Sequence, residues 1–218
     1  MRRTGLLLPT LAVWLLLASA GTAHADAAFD RDLAALRDGW SVANYRTPEP
    51  QRKTAFEKLV PQAATLTQRY PQRPEALIWE GIVLSTYAGL KGGLGALGLA
   101  KTSRTRFEQA LAIDEKAMDG AAHTSLGTLY HKLPGFPIAF GSDKKARSYF
   151  EKAIRLAPTA IDNNYFYAEF LYDEGAYAPA LKHLETAAKA PPRPGREIAD
   201  AGRRAEIDAL MKKVRAEL

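Results

Sequence analysis

The stretch closest to recognisable chemistry is Gly93-x-Gly95-x-x-Gly98, which meets the dinucleotide-binding fingerprint letter for letter. In that fingerprint the glycines let backbone approach a pyrophosphate, and an acidic side chain about 20 residues on holds the ribose. Asp114 and Glu115 fall near that distance. The fingerprint works only at a turn from a strand into a helix, and Glu75 to Ala88, just before it, has helical spacing. Gly95 to Thr102 also approaches a phosphate loop, but Ala100 replaces the glycine before Lys101 and Thr102, and its Cβ would crowd a phosphate. No cofactor is predicted. His123 and His131 stand eight residues apart, about 12 Å along a helix and too far for one metal. His183 belongs to a separate segment. The chain has no cysteine, so thiolate metal sites and disulfides are excluded. No nucleophile, base and orienting group stand at workable spacing, and an enzyme is not expected.

The elements that carry these residues follow a repeat. Ala146, Phe150, Ala153 and Pro158 return 34 positions later as Ala180, Leu184, Ala187 and Pro192. Upstream, His123-x-x-Leu126-Gly127-x-x-Tyr130 has its counterpart in Asn164, Tyr167, Ala168 and Leu171. Period and pattern resemble the two helices of a tetratricopeptide repeat (TPR), with His123 in the tryptophan slot. The physics is close helix approach. Gly127 or Ala168 on the first helix and Ala146 or Ala180 on the second let the axes draw near, while Tyr130, Phe150, Leu171 and Leu184 fill the gaps. Proline then stops the second helix.

Two less regular units precede these. Leu77, Gly81 and Leu84 begin one that Ser103, Phe107 and Ala110 complete. Leu59, Ala63, Leu66 and Pro71 form the second helix of another, whose first helix runs from about Ala27 to Asn44. Pro191 to Gly195 breaks the chain, and Ile198, Ala201, Ile207, Leu210, Val214 and Leu218 then mark an amphipathic cap. The expected fold is all-α: a right-handed TPR-like solenoid of about nine helices over residues 26–192, with a capping helix in 193–218.

Residues 1–25 read as a signal peptide: Arg2 and Arg3, an apolar run from Leu6 to Ala18, then Ala23-His24-Ala25 at a cleavage site. That run is too short to span a bilayer, so the mature chain is expected not to cross a membrane and to be periplasmic or secreted. Cleavage leaves 193 residues and lowers the formal net charge from +6 to +4. With no basic strip interleaved with aromatics, nucleic acid is not an expected partner.

Two repeats carry extra residues between their helices. Gly127 to Ala146 spans 19 positions and Gly81 to Ser103 spans 22, both beyond a plain repeat. The insertions are apolar, and equivalent insertions in a solenoid emerge on one edge. They either cover helix ends or form a paired lip, with Leu94 and Leu97 on one side and Phe136 and Phe140 on the other. Leu133-Pro-Gly-Phe-Pro137, followed by Phe140-Gly-Ser-Asp-Lys-Lys-Ala146 and the Phe150 to Pro158 helix, resembles the T component of TRAP-type solute transporters. The resemblance covers roughly Pro74 to Pro192 and implies a periplasmic TPR-like protein that pairs with a solute-binding subunit and encloses an apolar channel. On α-helical spacing, Phe166, Tyr167, Phe170 and Leu171 are core. Tyr165, Glu169 and Tyr172, with Thr128 and His131 one repeat earlier, face the concave groove. The sequence therefore predicts an adaptor that binds a protein partner of the cell envelope in that groove. The alternative is an accessory that holds a small apolar ligand between the lips.

Overall fold

The computed structural model describes residues 11–218, with side chains from residue 26 onward. Residues 1–10 of the expected signal peptide, the side chains of the rest of it, and the side chain of Leu94 lie outside the described residues. Among them are nine α-helices and no strand. These are α1 (Leu11–Tyr45), α2 (Glu49–Arg69), α3 (Pro74–Lys91), α4 (Gly93–Ile113), α5 (Ala117–Lys132), α6 (Asp143–Leu156), α7 (Ile161–Asp173), α8 (Tyr177–Ala188) and α9 (Glu197–Ala216). Helices α1 to α8 form four antiparallel pairs stacked side by side, the TPR-like solenoid, and α9 packs on α8 as a cap.

The repeat residues sit where helices must touch. Ala146, Phe150, Ala153, Ala180, Leu184 and Ala187 are all buried. A Cβ on Gly127 would stand 2.9 Å from the Phe150 ring, and one on Gly81 would enter the ring of Phe107. Ser103 also donates its hydroxyl to the Gly81 carbonyl at 2.8 Å, so α3 and α4 meet backbone against side chain. The small residues matter because of what they let their neighbours fill. His123 occupies its tryptophan slot buried, with neither ring nitrogen hydrogen-bonded among the described residues. Burial, and next the charge of Lys152, lowers its pKa, so the imidazole is held neutral.

Three expectations need correction. Ala88 to Gly98 is not a loop: it ends α3 and begins α4, with a break only at Gly92 and Gly93, both at φ +63. Helix formation costs little here because a glycine pair supplies the one left-handed turn, so the extra residues lengthen the helices instead of bulging out. Leu97 accordingly lies half-buried on α4. The cap is rotated at its start: Ile207, Leu210 and Val214 are buried, but Ala201 and Leu218 are exposed and Ala199, Asp200 and Arg203 take the inward face. Finally, Phe166 and Tyr167 are only half-buried, whereas Phe170 and Leu171 are core.

Candidate functional site

The first helix of every pair, α1, α3, α5 and α7, turns its inner face to the concave side, where a groove would be expected. The groove does not stay open. Helix α9 packs against α7 and α8 and also reaches α1. Gly202 makes the last contact possible, since any side chain there would run into the Tyr45 ring. Tyr45 donates its hydroxyl to Glu206 at 3.2 Å, and Arg204 donates to the carbonyls of Ala188 and Ala190 at 3.0 and 2.6 Å, fixing α9 to the end of α8. What remains is a partly enclosed cavity of about 660 Å³, walled by α1, α3, α5, α7 and α9.

Its wall has an apolar side and a charged end. Trp40, Trp79, Ile82, Met118, Leu129 and Phe166 supply the apolar side. The two indoles meet edge to face at 5.9 Å, and Trp40 Nε1 donates to Thr86 at 3.1 Å. Across from them Thr124 donates to Asn163 at 2.7 Å, and Asn163 in turn donates to the carbonyls of Asp119 and Ala153. Asn163 thereby braces the turn at Met118, Asp119 and Gly120, all three in left-handed backbone, which the two non-glycine residues rarely adopt.

At the charged end Asp162 accepts from Arg193 at 2.7 Å and from Arg203 at 2.8 Å. Arg193 also pairs with Asp200, and Arg203 with Glu206. Burial alone would raise the pKa of Asp162, but the charges of Arg203 and Arg193 outweigh it and hold the carboxyl down at about 2. Arg203 is 8 % exposed and is kept charged by the same pair, against its own desolvation. Its guanidinium lies over Tyr165 and Phe166 at 4.2 and 4.4 Å. Burial pushes the Tyr45 hydroxyl up to about 12, so it stays protonated as a donor to Glu206.

The residues expected in a groove separate. Thr128 lines the cavity. Tyr165 has the concave orientation but is 9 % exposed, because α9 lies on it and Arg203 fills the space a partner would use. This corrects its assignment to an accessible face. Tyr172 packs against Tyr177 at 5.7 Å, away from the cavity. His131 and Glu169 join a polar cluster at the helix ends: His131 lies 2.9 Å from Asp143 and 2.8 Å from Asp173, and Lys132 lies 3.5 Å from Glu169.

The second insertion is a true loop with two roles. Gly141 N donates to Pro134 O, and Ser142 N to Tyr130 O, closing it into a compact turn. Phe140 folds inward, edge on to Tyr130 at 5.4 Å and beneath Arg104 at 4.4 Å. Phe136 and Ile138 point outward, 94 % and 66 % exposed.

Sequence reasoning missed Arg196, Trp40 and Trp79. The tryptophans carried a signal, being two of only three in the chain, the third being Trp14 of the expected signal peptide. Arg193 stands inside the proline-rich break and Arg196 directly after it, where the sequence pattern signals only a helix end.

No family model matches the chain, and no curated protein does. Among solved structures it is similar to MamA, at 17% identity over 77% of this chain and 92% of that one, with a TM-score of 0.42. It is also similar to PilF of Pseudomonas aeruginosa, at 14% identity over 88% of this chain and 100% of that one, with a TM-score of 0.36. Both are TPR-repeat proteins.

Proposed function

We propose that the chain is a binding protein whose ligand is a small, largely apolar molecule held in the central cavity. The carrying observation is the position of α9, which turns an open groove into a chamber about 660 Å³ in volume, within the usual range for small-molecule sites of ~300–1,000 Å³. A peptide lying along the groove would have to displace α9 from Asp162 and Tyr165. The wall supports the same reading: aromatic and aliphatic side chains gather on one side, and several of the polar ones, such as Thr124, Asn163, Asp162, Arg193 and Arg203, are already bonded to one another.

A second reading, a protein partner, is favoured by a different observation. The closed loop holds Phe136 and Ile138 out in solvent, where an aromatic and a β-branched side chain cover nothing of their own fold. The two readings are compatible: a carrier can dock to a partner through its loop.

One experiment with two variants tests both. In the chain lacking residues 1–25, Trp40 and Trp79 are the only indoles, so fluorescence reports on the cavity wall directly. Titration with decan-1-ol should change that fluorescence and raise the melting point. Ser125→Phe, which plugs the cavity from α5, should abolish both responses, and a plugged variant that binds like the native chain would sink the cavity reading. Phe136→Asp should leave decan-1-ol binding intact while abolishing capture of a protein partner from solubilised envelopes. Undiminished capture would remove the loop from consideration.

Export belongs to the same proposal, supported by the composition of residues 1–25 and by the resemblance of the Leu133 to Pro158 segment to an envelope transporter component. No helix among the described residues is long and apolar enough to cross a membrane. N-terminal sequencing of the processed chain should begin at Asp26, within a few residues, and recovery of an unprocessed cytoplasmic chain would refute it.

A further inference from the structure

The cations on and beside the cavity wall are not equivalent. Arg193 and Arg203 are saturated by Asp162, Asp200 and Glu206, and Lys132 is engaged by Glu169 and Asp173. Arg196 lines the same wall with no carboxylate within ion-pair distance among the described residues, and its buried Nε has no hydrogen-bond partner. Its guanidinium carbon stands 5.3 Å from the centre of the Trp79 ring, at the border of the apolar surface. Arg37, whose own buried Nε also lacks a partner, lies on the neighbouring face of α1 near Gly195. Burial first, and then the charge of Arg193, makes the Arg196 cation harder to hold, with Arg37 adding to the repulsion. Within this wall, the nearest aspartates either already serve Arg193 or are shared with Arg203.

A half-buried guanidinium without a counter-ion is costly, and an entering oxyanion would relieve that cost by accepting its free N–H groups. The Trp79 ring lies beside the guanidinium, a contact that uses none of its N–H groups as hydrogen-bond donors. We infer that the cavity takes an anionic amphiphile, its carboxylate seated on Arg196 and its apolar body against Trp40, Trp79 and Phe166. This rests on the cavity being the binding site, and adds the charge of the ligand to that reading. Ser125, Thr128 and Lys132 also line the chamber, but the Lys132 ammonium is already paired with Glu169 and Asp173, so among the described residues Arg196 is the cation left for the ligand's charged end.

The test is calorimetric titration of the chain lacking residues 1–25, above neutral pH, with three probes that share an alkyl chain: decanoate, decan-1-ol and decyltrimethylammonium. Decanoate should bind once per chain and at least about tenfold more tightly than the alcohol, the gain of one charge-assisted contact. The cation should bind least. Arg196→Gln should bring decanoate to the affinity that the alcohol shows for the same variant, while Arg196→Lys should keep most of the preference. Circular dichroism of both variants shows whether α9 is still in place. Equal affinity for decanoate and decan-1-ol in the native chain would overturn the anion seat and leave the cavity reading standing. So would an Arg196→Gln variant that keeps the preference. Failure of every probe to bind, or binding that survives Ser125→Phe, would overturn the cavity reading itself.

Discussion

Asp162→Asn should lower the melting point by about 6–12 °C and release α9 from the solenoid. Asp162 is the shared acceptor of Arg193 and Arg203, and it joins the loop before α9, α9 itself and the first turn of α7. Asparagine keeps the shape and removes the charge, which leaves the almost fully buried Arg203 with Glu206 alone. Breaking one partner of a buried pair costs ~3–5 kcal/mol, and the low end, about 3 kcal/mol, applies because the Asp162 side chain is still 34 % exposed. For a chain of this size that corresponds to roughly 2–4 °C per kcal/mol. Amide exchange should speed up along α9 and little elsewhere, since the other helices keep their contacts. A melting point within a degree or so of the native value would mean that the arginines hold α9 without their anion.

The same pair sets an acid limit with a definite sign. The folded pKa of Asp162, about 2, lies below its value of about 3.9 in an unfolded chain. Its contribution is therefore complete above pH ~4 and is lost as pH falls towards ~2. The native chain and Asp162→Asn should differ most near neutral pH and converge at the acid end. His123 adds an earlier loss: its lowered pKa means that stability falls as pH drops below the ordinary histidine range and protons are forced onto a buried ring.

How much of this was legible depends on whether a residue's partner is near in sequence. Gly127, Ala146, Phe150 and their copies one repeat on were readable because a fixed period brings them together, and all proved to be contact residues. The apolar segment at Ala88 to Gly98 misled because composition alone does not separate an apolar loop from the ends of two helices. Only the left-handed turn at Gly92 and Gly93 decides it. Tyr165 had the correct orientation and the wrong environment. Nothing local to α7 announces that a helix beginning more than thirty residues later will lie across it and set a guanidinium over its ring. The cavity shares that origin: it exists because α9 returns to α1, a contact between residues such as Tyr45 and Glu206 that lie 161 positions apart. Periodicity finds the walls of a solenoid and cannot find its closure.

The packing that periodicity did find can be tested at its tightest legible point, Gly127. Glycine inside a helix is unfavourable by up to ~1 kcal/mol relative to alanine, so a small side chain brings a gain in propensity that masks part of the steric cost. Leucine removes that ambiguity. Its Cβ would stand 2.9 Å from two atoms of the Phe150 ring, and its branch would extend into the ring itself. The ring has little room to move aside, since Phe150 is buried, stacks on Tyr167 at 5.7 Å and meets Phe170 at a tilt at 5.4 Å, contacts that tie it to α7. Helices α5 and α6 must then separate at the centre of the larger core. Overpacking costs ~1–3 kcal/mol and falls at the upper end where no neighbour can yield. Gly127→Leu should therefore lower the melting point by about 6–12 °C, at roughly 2–4 °C per kcal/mol. Gly98→Ala on α4 is the control, because a Cβ there meets nothing within 4 Å, and it should leave stability the same or slightly higher. If both variants melt with the native chain, the α5–α6 contact is looser than the Phe150 stack implies and the repeat register is wrong. If Gly127→Leu alone falls, with helical dichroism retained at low temperature, close approach at the glycine is what the repeat pattern encodes.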